Sequence, residues 1–167
     1  YTSRNFGKLG QREKSTGQLL FDNVRVPSSN LLGAEGEGLR LMAFSFERAR
    51  CMVAFCSTGI ASAAFEASLE YARNREQWGK AIGGHQLVQA MLAEMATEID
   101  CSRLLALRAI SMVQNGQRCE MEAAMAKWYA SETAVRVTSN AVQIHGAYGL
   151  STEFPIERYL RDARVMT

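Results

Sequence analysis

Apolar residues recur at steps of three and four from about Gly36 to Arg75, and no other feature of the sequence limits its fold so strongly. Leu39, Met42, Phe46, Ala49, Val53, Ser57, Ile60, Ala64 and Leu69 follow this period. It is the period of an α-helix, not of a strand. A helix of nearly forty residues cannot hide such a stripe by itself. It should be the spine of a helical bundle. The small residues crowded between Ala54 and Ala67 allow another helix to approach closely.

The rest of the chain supplies partners for that spine. A second helix fits residues 85–114, with Leu87, Met91, Met95, Ile99, Leu104, Leu107 and Ile110 on its apolar side. Asn115-Gly116 stops it. A third fits about 118–144, with Met121, Met125, Trp128, Ala130, Ala134, Val137, Ala141 and Val142. His145-Gly146-Ala147-Tyr148-Gly149 breaks it, and Pro155 opens a short helix to Val165. The fold expected is mainly α, an up-down bundle of three long antiparallel helices and a short fourth element. One long helix of a four-helix bundle is absent from that set, so a further segment or another subunit should cover the open side.

Residues 1–33 read differently. Gln18-Leu19-Leu20-Phe21, Asp22-Asn23 and Val24-Arg25-Val26-Pro27 suggest a strand with a bend or short turn, ended by proline. One or two strands do not hold together alone. Residues 1–33 are therefore expected to be the remnant of a sheet domain, and 34–167 the helical domain. The chain starts without Met, which suits a fragment, a processed chain or a longer protein.

Several chemistries lack support. Cysteines at 51, 56, 101 and 119 form no CxxC pair, and the only histidines are His85 and His145, so no metal site is expected. Buried free thiols in a reducing compartment fit better. No run of eighteen apolar residues suggests a membrane span. The net charge of +2 argues neither for nor against an anionic partner, and no nucleic acid is expected. No GxSxG motif supports a hydrolase, and Gly33-Ala34-Glu35-Gly36-Glu37-Gly38 carries acids where a phosphate would sit.

Three short stretches could carry chemistry. Arg75, Gln77 and Trp78 put a planar cation, an amide and a large aromatic in one helix-to-loop turn, which suits phosphates and an aromatic ring. A capped helix end sealed by Trp78 explains them as well. Gln143-Ile144-His145-Gly146 through Gly149 combines an amide and an imidazole with sparsely covered backbone, suited to a phosphate-bearing ligand. An ordinary glycine stop beside a satisfied histidine is the plainer account. Glu47 and Arg50 can share a helix face. They read either as a surface ion pair or as groups that hold polar parts of a substrate.

Taken together and in order, these segments resemble the acyl-CoA dehydrogenase family. Leu20 to Pro27 followed by Asn30-Leu31-Leu32-Gly33 looks like the family's passage from its middle β-domain to its C-terminal helical domain. Tyr71-Ala72 and Arg75 through Ile82 are similar to its "YA…R-x-Q-F/W-G-K-x-I" segment. His85-Gln86 and Met91 to Met95 continue the match. Gln143-Ile144-His145-Gly146 and Gly149 resemble its "Q-x-H/F-G-G-x-G" loop, and Arg158 to Arg164 its next stretch. The resemblance covers essentially the whole chain.

That resemblance implies an FAD cofactor lying between domains and reaching across a dimer interface, with two dimers commonly forming a tetramer. Arg75 would bind the pyrophosphate of the neighbouring subunit's FAD. Gln77 and Trp78 would line the same cofactor, with Trp78 near its adenosine, and Gln86 would lie in that region. Gln143, Ile144, Gly146 and Gly149 would contact the nucleotide end from the opposite subunit. Glu47 and Arg50 would stand near the thioester and pantetheine arm of acyl-CoA. Ala147 departs from a usual glycine, and Trp78 replaces the commoner phenylalanine. No catalytic residue is expected within the chain, because the family's base, the glutamate of a "Y-E-G-T"-like motif, would follow a few residues beyond Thr167. The parent would be an α,β-dehydrogenase of acyl-CoA that passes electrons to an electron-transferring flavoprotein or similar acceptor, and the 167-residue piece alone is expected to be inactive. An acyl-CoA oxidase, a nitroalkane-oxidase-like enzyme and a non-catalytic assembly subunit on the same scaffold are the alternatives. Location would be cytoplasmic in a bacterium, which is preferred, or the mitochondrial matrix in a eukaryote.

Overall fold

The computed structural model describes residues 2–167. Four α-helices dominate: α1 (Gly38–Asn74), α2 (Gln86–Gln114), α3 (Glu120–His145) and α4 (Ile156–Arg164). Ahead of them, β1 (Thr2–Asn5) pairs antiparallel with β2 (Gly17–Leu20). A two-residue hairpin, β3 (Glu76–Gln77) and β4 (Lys80–Ala81), fills the link from α1 to α2. The stretch Val24–Val26, expected to continue a strand, forms none. The β1 partner and the small hairpin went unread because neither carries an alternating apolar pattern.

The helices begin and end for identifiable reasons. Glu37 closes the entry to α1: its carboxylate accepts the Ala34 amide at 3.1 Å and pairs with Arg40 at 2.8 Å. After α2, Gly116 takes φ +66° and Gln117 N donates back to Met112 O at 2.9 Å, a left-handed glycine stop. Glu120 and Glu122 occupy the first turn of α3, where the helix dipole favours acids. Pro155 immediately precedes α4.

Two core clusters define the topology. One joins Cys51 and Ala54 of α1 with Ala106 and Ala109 of α2 and Ala123 to Ala130 of α3. The other joins Ala61 to Ala72 of α1 with Met95 and Ile99 of α2, Ala134 to Ile144 of α3, and Ile156 and Ala163 of α4. Early α1 thus meets late α2 and early α3. Chain neighbours run antiparallel, so α1 and α3 run parallel, the up-down-up order expected of the three long helices.

The buried stripe is not the stripe of large apolar residues. In α1 the buried positions are Cys51, Ala54, Ser57, Thr58, Ala61, Ala64, Ser68 and Ala72. Small side chains let the helices pack closely, and the buried hydroxyls donate to carbonyls one turn back, as Thr58 does to Ala54 O at 2.8 Å. Leu39, Met42, Phe46, Leu87, Leu104, Leu107, Met121, Met125 and Trp128 are exposed, Leu39 by 74% and Trp128 by 66%. An eighteen-residue window of α1 reaches a mean hydropathy of 1.4, enough by length and composition to cross a membrane. In this fold α1 packs against α2, α3 and α4, and α3 likewise packs against the other three helices. Among the cysteines, Cys51 and Cys119 are buried as expected, whereas Cys56 and Cys101 are exposed.

Candidate functional site

The end of α1 turns sharply into the small hairpin. Arg75 N donates to Tyr71 O at 2.8 Å, and Ile82 N donates to Arg75 O at 2.8 Å, closing the β3–β4 ladder. The two tip residues, Trp78 and Gly79, have φ of +56° and +76°. Positive φ at both central residues is the twisted two-residue turn preferred by hairpins, and it usually takes Asn-Gly. A tryptophan there is conformationally strained. Its ring is 92% exposed. His85 Nε2 lies 3.3 Å from Gln77 O, and Lys80 Nζ donates to Gly84 O at 2.9 Å, so the hairpin is held firmly while its tip projects.

Beside that tip lies a cleft of about 820 Å³, lined among others by Gln77, Trp78, Gln86, Gln143 and Ile144. Five of the eight residues singled out for a cofactor therefore meet in one place, drawn from the hairpin, the start of α2 and the end of α3. Gln77, Gln86 and Gln143 are exposed amides, and Ile144 forms an apolar floor. Such a set fits a planar aromatic group flanked by hydroxyls and phosphates.

Arg75 does not line that cleft. It borders a separate cavity of about 500 Å³ together with Tyr71, Asn74, His145, Phe154 and Pro155, and its guanidinium lies 5.9 Å from the Tyr148 ring centroid. The sequence did not indicate that His145 meets Tyr71, yet their rings stack at 4.2 Å with 23° between planes. Phe154 meets both edge-on at 5.5 Å. His145 Nδ1 lies 2.8 Å from Ala141 O, an acceptor, so Nδ1 carries the proton and Nε2 is left as a buried acceptor. Nε2 finds no protein partner among the described residues. The reading of a satisfied histidine holds for only one of its two nitrogens. Burial pushes its pKa below the ordinary histidine value, with the bond to Ala141 opposing. The signal in the sequence was faint: Tyr71 and His145 stand 74 positions apart.

The two glycines of the loop have different reasons. Gly146 adopts φ +60° and ψ −134°, a conformation only glycine takes without strain. Gly149 is buried, and a Cβ there would lie 2.6 Å from Val142 O. Its smallness serves contact with α3, so it shapes the 3-10 turn Gly146–Leu150 from beneath.

Glu47 and Arg50 lie at the other end of α1, about 42 Å from Arg75 at the rise of an α-helix. They share no ion pair among the described residues. The Cys119 thiol approaches the Glu47 carboxylate at 3.8 Å. Arg50 lines a cavity of about 640 Å³ with Arg118, Glu120, Met121 and Glu122. Arg118, absent from the residues singled out in the sequence, thus shares that cavity with Arg50.

Similarity to known proteins agrees with these features. A family model described as acyl-CoA dehydrogenase, C-terminal domain, matches residues 36–167. An acyl-CoA dehydrogenase of Bacillus subtilis (strain 168) is 42% identical over 95% of this chain and 42% of its own length. The solved butyryl-CoA dehydrogenase from Megasphaera elsdenii superposes with a TM-score of 0.96 at 38% identity, covering 98% of this chain and 43% of that one. A structure of PigA with FAD and proline gives 0.95 at 28% identity, covering 99% and 43%. The chain spans about two fifths of the length of the curated relatives it matches.

Proposed function

The chain belongs to the acyl-CoA dehydrogenase family, and from that premise we propose that it is the helical part of an FAD-dependent enzyme that dehydrogenates an acyl-CoA thioester between its α and β carbons. The observation that carries this reading is the cleft where Gln77, Trp78 and Gln86 meet Gln143 and Ile144. A flavin, when bound, supplies the hydride acceptor. This chain's residues do something narrower. Trp78 offers an exposed ring for stacking, three glutamines offer donors and acceptors to a nucleotide's sugar and phosphates, and Arg75 offers a cation nearby.

The two ends of the bundle would serve two different bound molecules. About 42 Å separates Glu47 from Arg75, too far for a single small ligand to span with its catalytic end intact. Arg50 and Arg118 would face the anionic part of an acyl-CoA at one end. The hairpin and the Gly146 turn would face the nucleotide of a cofactor held chiefly by a second copy. The exposed apolar residues Leu104, Leu107, Met125 and Trp128 supply surface for a homodimer, or for a dimer of dimers. An electron-transferring flavoprotein or similar acceptor would reoxidise the flavin.

The test uses the full-length protein. It should copurify with flavin, and acyl-CoA should bleach that flavin anaerobically. Trp78→Ala and Gln143→Ala should each lower the flavin content without unfolding the protein. Full flavin occupancy in both variants would overturn the placement of the cofactor. A flavin that acyl-CoA does not reduce would overturn the dehydrogenase reading, and rapid reoxidation by oxygen would mark an oxidase instead.

A further inference from the structure

The two segments proposed to face the cofactor come from opposite parts of the sequence, and a single histidine joins them. Arg75 follows α1 directly, and Tyr71 lies one turn earlier on that helix. Gly146 follows α3 directly, and His145 is the last residue of that helix. The Tyr71 ring stacks on the His145 ring at 4.2 Å. The Tyr71 hydroxyl also reaches toward His145 O at 3.5 Å. Phe154 meets both rings edge-on at 5.5 Å, completing a three-ring cluster. The bond from Nδ1–H to Ala141 O, at 2.8 Å, fixes how far the imidazole can rotate. The ring belongs to the residue directly before Gly146, whose backbone starts the turn.

We propose that His145 is a positioning residue for the nucleotide-facing surface: its neutral ring, stacked on Tyr71 and met edge-on by Phe154, holds the Gly146–Leu150 turn in register with Arg75, and protonation of that ring releases the turn. The inference rests on the reading of this surface as a cofactor site.

A phenyl ring could stack in the same space. What histidine adds is Nε2, buried and without a protein partner among the described residues. Protonation would place an N–H and a positive charge there. From α1, the ionisable side chains bordering the shared cavity are Glu70, Tyr71 and Arg75, and from the turn Tyr148 stands against Phe154. Phe154 and Pro155, from the segment before α4, are neutral. Arg75 repels a second cation, Glu70 attracts it, and the ring faces attract it weakly. Burial outweighs these attractions, as the lowered pKa of His145 indicates. The sign follows. The neutral stack is at full strength above the ordinary histidine value of about 6.5, weakens below it, and is lost as pH falls through the lower folded value.

The experiment is amide hydrogen exchange on the full-length protein, with and without FAD, at about pH 7.5 and about pH 5 after correction for intrinsic rates. Protection of the Gly146–Ser151 amides, relative to those of α2, should fall about tenfold or more in acid even in flavin-free protein. His145→Phe should keep that protection at both pH values, and His145→Ala should lose it at both. FAD should dissociate faster in acid from the wild type but not from His145→Phe. Protection that ignores pH in the wild type, or the same acid loss in His145→Phe, would overturn the proposal. If no flavin binds at neutral pH, the cofactor reading fails, while exchange in flavin-free protein still decides whether His145 positions the turn.

Discussion

A Cβ placed on Gly149 would stand 2.6 Å from the carbonyl oxygen of Val142 and 2.8 Å from its Cα. Both neighbours are backbone of α3, which cannot yield without bending the helix. Gly149→Ala should therefore destabilise the protein by about 1–3 kcal/mol, as overpacking does. Gly146→Ala meets no steric neighbour but must hold φ +60°, costing about 1–3 kcal/mol through backbone strain alone. Chemical denaturation of each variant checks both values. Wild-type stability in either would refute the corresponding account.

Trp78 sits where a two-residue hairpin turn prefers asparagine. Trp78→Asn should relax the left-handed backbone and stabilise flavin-free protein by about 1 kcal/mol. The same change should reduce flavin content in the full-length protein. A gain in stability together with undiminished flavin would mean that the exposed ring serves something other than the cofactor.

The N-terminal segment is tied to α4. Gln11 N donates to Asp162 Oδ1 at 2.5 Å, and Arg161 Nη1 donates to Leu9 O at 3.1 Å. Asp162→Ala removes one of these contacts and should cost about 1–2 kcal/mol. Limited proteolysis should then cut within residues 2–20 sooner than in the wild type. An unchanged digestion rate would show that the β1–β2 pair is held by other contacts.

Arg161 Nε lies 2.6 Å from Glu157 Oε2. This hydrogen bond holds the Glu157 carboxyl below the usual carboxylate range, against a smaller opposing effect of burial. The unfolded chain protonates near the ordinary value of about 4.3. The pair's stabilisation is thus fully present above that value and is lost as pH falls through the lower folded one. The melting temperatures of wild type and Glu157→Gln should differ at neutral pH and converge in acid. A constant difference would exclude the ion pair as its cause.

Cys51 and Cys119 are fully buried, while Cys56 and Cys101 are exposed. Burial raises both buried thiols' pKa, and the Glu47 charge adds to it. Under native conditions a thiol reagent should leave Cys51 and Cys119 unmodified until the protein unfolds. Mapping the labelled peptides by mass spectrometry checks this. Early labelling of Cys119 would mean that α1 and α3 separate readily.

By itself the sequence determined the helices, their stops and the motifs that mark the family. These depend on short-range rules: a three-and-four period, Asn115-Gly116 after α2, Pro155 before α4. Local pattern also made Arg75, Gln77, Trp78, Gln143 and Ile144 candidates, and the family resemblance added Gln86. Only the tertiary structure decided which helix face is inside. Leu39, Leu104 and Trp128 belong to the apolar stripes of the sequence, yet they lie exposed, while alanines and serines fill much of the core around Met95, Val137 and Ile156. The reason is distance: where the helices pack most closely their contact has room mainly for small side chains, and many larger ones stay outside it. Tertiary structure likewise divided the candidates, gathering five in one cleft and setting Arg75 beside His145 in another. The Tyr71–His145 stack joins residues 74 positions apart, and no local pattern encodes which side chains meet when two parallel helices end side by side.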